Sequence, residues 1–81
     1  MSQSRLAYRK YPLLSAREII TALHRIGFVE VSQRGSHRKL QNDSVPIRTV
    51  IVPMHDEVAR GTLRSILEQA GIDLETFLGL L

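Results

Sequence analysis

Residues 34–40, Arg34-Gly35-Ser36-His37-Arg38-Lys39-Leu40, set one histidine among basic side chains just after a glycine. An imidazole with a reference pKa of about 6.5 can take or give a proton near neutrality, and arginine and lysine hold phosphate oxygens through charge-assisted hydrogen bonds. A proton-transfer group beside a phosphate is what RNA cleavage demands. RNA brings its own nucleophile, the ribose 2′-hydroxyl, so the reaction needs a base for that proton, cationic support for the phosphorane and an acid for the leaving oxygen. His37 is the candidate base or acid, and Arg34, Arg38 and Lys39 are the candidates for holding the phosphate. Gly35 permits close backbone approach and can lend its amide, while Ser36 can orient the substrate. The second proton-transfer group is either His55 or water. No cofactor is expected, and His37 and His55, 18 residues apart without a regularly spaced carboxylate partner, make a poor metal site.

These side chains need elements to hold them. Ser15-Ala16-Arg17-Glu18 has the spacing of a capping box, followed by Ile19, Ile20, Leu23 and Ile26 at helical intervals and Gly27 as a stop, which predicts a helix over 15–26. His24 falls at the edge of its apolar stripe, as a half-exposed surface residue. At Phe28 the period changes to two, and three strands are expected over 28–34, 36–42 and 48–53, forming an antiparallel meander. Pairing Arg34 with His37 sets Ser32 opposite Lys39 and Val31 opposite Leu40; pairing Leu40 with Val50 sets His37 opposite Pro53. Val29, Val31, Leu40, Val50 and Val52 then share the buried face, and Arg34, His37, Lys39 and Thr49 the open one. His55 would lie diagonally from His37 if the strand runs on that far. Arg38 falls on the nominally buried face and must escape at the sheet's end.

A second helix is expected from Gly61-Thr62, with Leu63, Ile66, Leu67 and Ala70 as its stripe and Gly71 as its end; Asp73 can then cap a last short helix. The fold class is α+β: a two-layer sandwich with a three-stranded antiparallel sheet and helices on one face, in the order α-β-β-β-α plus a short C-terminal helix, like a double-stranded-RNA-binding domain.

Eighty-one residues make one domain with a thin core. It is expected over 13–81, behind a flexible basic arm over 1–12 that includes Arg5, Arg9, Lys10, Tyr8 and Tyr11. Residues 1–48 carry nine Lys/Arg against three Asp/Glu, and residues 49–81 two against five, so the half with the histidine turn suits a polyanion. There are no cysteines, no apolar run long enough for a membrane and no signal-peptide pattern, which makes a cytoplasmic protein the expectation. The topology also admits a non-catalytic RNA-binding module or a protein-interaction domain.

From Leu14 to Leu81 the chain resembles the HicA toxins, also called YcfA-like proteins. The resemblance is carried by Leu14-Ser15-Ala16-Arg17-Glu18-Ile19-Ile20, Gly27-Phe28-Val29, Arg34-Gly35-Ser36-His37, Val52-Pro53-Met54-His55 and the stretch from Gly61 to Gly71. It implies an mRNA interferase toxin that cleaves RNA and shuts down translation, and that is neutralised by a cognate HicB-like antitoxin covering the active surface. No DNA binding by the toxin alone is expected. The family's catalytic histidine corresponds to His37 and the neighbouring glycine to Gly35. The chain departs from the family in having Leu40 where an aromatic residue is usual and Asn42-Asp43 where many members have His-Pro.

Overall fold

A computed structural model describes residues 10–81; Arg5, Tyr8 and Arg9 of the expected arm lie outside the described residues. The described elements are α1 (Ala16–His24), β1 (Val29–Arg34), β2 (His37–Gln41), β3 (Thr49–Pro53), α2 (Arg60–Ala70) and α3 (Leu74–Leu78). The three strands form one antiparallel sheet in the order β1-β2-β3. This is the α+β sandwich that the periodicity predicts.

Local chemistry sets the ends of the helices. Ser15 takes the amide of Glu18 on its hydroxyl at 3.1 Å, and the Glu18 carboxylate takes the amide of Ser15 at 2.9 Å, so the capping box closes in both directions. Helix α1 ends at His24, short of the expected Ile26, and a turn through Gly27 leads into β1. Helix α2 stops at Gly71, whose left-handed φ of 75° a side chain would resist. Asp73 caps α3 by accepting the amide of Thr76 at 2.7 Å.

The core lies between α1, α2 and α3 and the helix side of β2 and β3. Ile19, Leu23, Leu40, Val50, Val52, Leu63, Ile66 and Phe77 are all buried there. Each such side chain contributes about 1.5–3 kcal/mol by leaving water. The expected arm is corrected at its end: Tyr11, like Leu14, rests against the core, and its carbonyl accepts from Arg60 Nε at 2.7 Å. The Leu14 carbonyl accepts the amide of Val58 at 2.7 Å, and the His55 carbonyl accepts that of Ala16 at 3.0 Å. The segment leaving β3 is thereby fastened to the start of α1.

One expected feature is corrected. Val29 and Val31 do not join the buried face; they are 54% and 47% exposed. A β-bulge between Glu30 and Ser32 places Glu30, not Val31, opposite Leu40, while Ser32–Lys39 and Arg34–His37 pair as expected. The cause is tertiary. Strand β1 is an edge strand, exposed along its whole length, and gains little by burying valines. Glu30, turned to the helix side, meets His24 at 2.7 Å and Arg38 at 3.3 Å.

Candidate active site

The β1–β2 hairpin brings the candidate side chains together. Arg34 and His37 face each other across a turn of two residues, Gly35-Ser36, and Gly35 has a φ of 57°. A positive φ at the first central position with none at Ser36 is the pattern of a type II′ turn, which favours glycine there. A Cβ on Gly35 would touch nothing, so backbone conformation and not crowding calls for glycine. The turn is tied down from the far side: the Ser36 carbonyl accepts the amide of Met54 at 2.6 Å, carrying the β2–β3 pairing one step past Pro53.

Alternation along the strands then sorts the side chains by face. His37 and Lys39 of β2, Ser32 and Arg34 of β1 and Ile51 of β3 line an open groove of about 450 Å³. A second groove of about 700 Å³ shares His37 and Ile51 with the first and runs past Pro53 and His55 to one side of α2. His37 stands where the two meet. His55 reaches this site from a tight turn, its amide donating to the Pro53 carbonyl at 2.9 Å, and not from a continued strand.

The electrostatics follow from the bulge. Among the described residues, no carboxylate lines either groove. A regular β1 would turn Glu30 towards Lys39; the extra residue sends it to the other side. Arg34 and Lys39 have no carboxylate partner among the described residues, so their charge is available to an anion. Arg38 is different. Its guanidinium donates to Gln33 Oε1 at 3.0 and 2.8 Å and to Glu30 Oε2 at 3.3 Å, and it does not line the groove. It stays on the helix side, beside the edge strand, in a network of its own. In that network a hydrogen bond from His24, with the charges of His24 and Arg38 adding to it, holds the Glu30 carboxyl below its usual range.

Of the sequence candidates, His37, Arg34, Lys39 and His55 thus share one site, Gly35 and Ser36 form the turn that presents it, and Arg38 points elsewhere. Ser32 and Ile51 line the groove without having been candidates, and α2 contributes a side that was not expected. Alternation from Arg34 and Lys39 signals Ser32 and Ile51; nothing local signals α2. No group of three or more potential metal ligands occurs among the described residues, and no described helix is long and apolar enough to cross a membrane.

Residues 16–72 match a family model described as the HicA toxin of bacterial toxin–antitoxin systems. No curated protein matches the chain.

Proposed function

Since the chain belongs to the HicA toxin family of toxin–antitoxin systems, we propose that this toxin is an endoribonuclease in which His37 transfers a proton at the scissile phosphate. The observation that carries this reading is the exposed His37 flanked by Arg34 and Lys39 in a groove without a carboxylate. A single strand of RNA laid across that face would set a phosphate between the two cations, each able to donate charge-assisted hydrogen bonds to its oxygens.

His37, as general base, takes the proton of the 2′-hydroxyl while the 2′-oxygen bonds to phosphorus. The bond from phosphorus to the 5′-oxygen breaks, and that oxygen leaves with a proton from His55 or from water. The products are a 2′,3′-cyclic phosphate and a free 5′-hydroxyl. Atoms and electrons balance without a metal or a cofactor. The opposite assignment, with His55 as the base and His37 as the acid, balances equally. Ser36, at the turn, would orient the strand.

Membership in the family implies a cognate antitoxin partner. We take the basic groove as the surface a HicB-like antitoxin would cover, since covering it would bar mRNA and keep the toxin silent. The setting for such chemistry is the cytoplasm, where mRNA is translated.

The test compares wild type with His37→Ala on single-stranded RNA in EDTA. The wild type is expected to cleave and leave cyclic phosphate ends, and His37→Ala to bind with similar affinity but lose cleavage. Equal cleavage by both proteins, or 5′-phosphate ends by mass spectrometry, would overturn the assignment. Binding without cleavage by either would favour the non-catalytic module.

A further inference from the structure

The two grooves that meet at His37 differ in chemistry. The one over the open sheet is cationic, through Arg34 and Lys39. Among the described residues, the one beside α2 carries neither lysine nor arginine; apart from the two histidines, its polar side chains there are the uncharged Thr62, Ser65 and Gln69. These three sit at helical intervals of three and four, on one face of α2, and span about 10 Å at a rise of 1.5 Å per residue. A cationic arm suits phosphate. A neutral arm rich in hydrogen-bonding groups suits a base or a ribose.

Gln69 is oriented, not merely present. The amide of Ile51, on the edge of β3 turned away from β2, donates to Gln69 Oε1 at 2.9 Å. An N–H can be satisfied only by an acceptor, so the side-chain oxygen must face the strand and the NH₂ group must face away from it. Among the described residues that NH₂ has no protein acceptor, and Gln69 lines the groove half-buried. The helix thus closes the β3 edge and, with the same side chain, holds a pair of donors at a fixed place beside the proton-transfer site.

We propose that Thr62, Ser65 and Gln69 form the subsite for the nucleobase next to the cleaved phosphate, and that the Gln69 NH₂ selects bases with a carbonyl at the 4- or 6-position, uracil O4 or guanine O6, over those with an amino group there. This rests on the ribonuclease reading. Carbonyl-bearing edges accept from an amide NH₂, whereas the amino groups of adenine and cytosine meet it donor to donor. The Thr62 and Ser65 hydroxyls donate or accept as the ribose or base requires and confer affinity without choice.

The experiment sequences the ends produced from a randomised single-stranded RNA pool by wild type, Gln69→Glu, the double variant Thr62→Val/Ser65→Ala, and His37→Ala as the blank. Gln69→Glu keeps the oxygen that Ile51 needs but replaces the donors by an acceptor. Wild type is expected to favour uracil or guanine at one position beside the cut, roughly tenfold. Gln69→Glu is expected to move that preference to cytosine or adenine at the same position, and Thr62→Val/Ser65→Ala to raise KM several-fold with the preference kept. Ends with one bias for all active proteins, or a uniform loss in Gln69→Glu from charge repulsion alone, would overturn the subsite and leave the ribonuclease reading standing. Should wild type cut nothing, the ribonuclease reading falls, and fluorescence anisotropy decides the subsite. Tighter binding of uridine- or guanosine-containing oligonucleotides that reverses in Gln69→Glu supports it; equal binding or none overturns it.

Discussion

On the helix side of the β1–β2 hairpin, His24, Glu30, Gln33 and Arg38 satisfy one another: the imidazole and the guanidinium share one carboxylate, and the amide oxygen takes the rest of the guanidinium's bonds. On the open side of the same hairpin, Ser32, Arg34, His37 and Lys39 face a groove, and neither cation there has a carboxylate partner among the described residues. Both sides hold a histidine and basic residues; one carboxylate separates them. Residue type therefore does not mark a site. What marks it is whether charge is already neutralised within the fold, because a compensated cluster has little left for a ligand, whereas an uncompensated one attracts the opposite charge.

The largest expected effect tests the two histidines against each other. His37→Ala should lower the rate of RNA cleavage by about 10²- to 10⁴-fold, the usual contribution of a positioned general acid or base. His24→Ala should leave the rate within a small factor of wild type, because its partner is Glu30 and not the groove. Single-turnover cleavage of one oligonucleotide by the two variants measures both. A comparable loss in His24→Ala would break the distinction between the faces.

The next effect concerns the basic side chains. Arg34→Ala or Lys39→Ala should weaken RNA binding by roughly tenfold, since hydrogen bonds to charged groups contribute about 1.5–3 kcal/mol. Each should also flatten the log-log dependence of affinity on salt by about 0.7 for one lost phosphate contact on a single strand. Arg38→Ala should leave that slope unchanged. Anisotropy titrations over a range of salt read all three, and a flattened slope for Arg38→Ala would return it to the phosphate site.

How much of this difference the sequence could reveal depends on its range. The Ser15–Glu18 capping box, the Gly71 stop and the Arg34–His37 register are legible because each is decided within a few residues, by a cap, a φ or a turn length. The bulge at Val31 is not. Val29-Glu30-Val31 alternates as a regular half-buried strand does, and only the places of His24 and Arg38, set by other elements, turn Glu30 over. One unreadable residue thus removes a carboxylate from the site. The α2 side of the groove is hidden for the same reason: Thr62, Ser65 and Gln69 read as an ordinary polar helix face until α2 docks along the edge of β3 through the Ile51–Gln69 bond.

Ser32→Glu sharpens the comparison by restoring on the open face what the bulge takes away. The new carboxylate would lie directly across from Lys39, the pair partner of Ser32, at a distance where opposite charges on a sheet interact. The fold should tolerate it, because Ser32 is exposed, so the melting temperature should stay within a few degrees of wild type. RNA affinity should fall by several-fold, less than for Arg34→Ala, because Lys39 is neutralised rather than removed. Retained affinity would mean that the missing carboxylate is incidental to the groove.

The smallest effect belongs to the compensated face and is read by pH. The folded state holds the Glu30 carboxyl below its usual range, chiefly through the hydrogen bond from His24, so folding favours the ionised form. That contribution is complete above the ordinary carboxylate range and disappears as pH falls through the lowered folded value, because the protonated carboxyl binds its partners less well. Both partners are partly exposed, so water screens the interaction, and its worth is within the range of surface ion pairs, about 0–1 kcal/mol. Thermal melts of wild type and Glu30→Gln from neutral to acid pH should therefore differ by a few degrees at neutrality and converge in acid. Because the groove contributes no carboxylate to this titration, Arg34→Ala and Lys39→Ala should follow the wild-type pH profile in parallel; convergence of their curves in acid would show that the two faces are coupled after all.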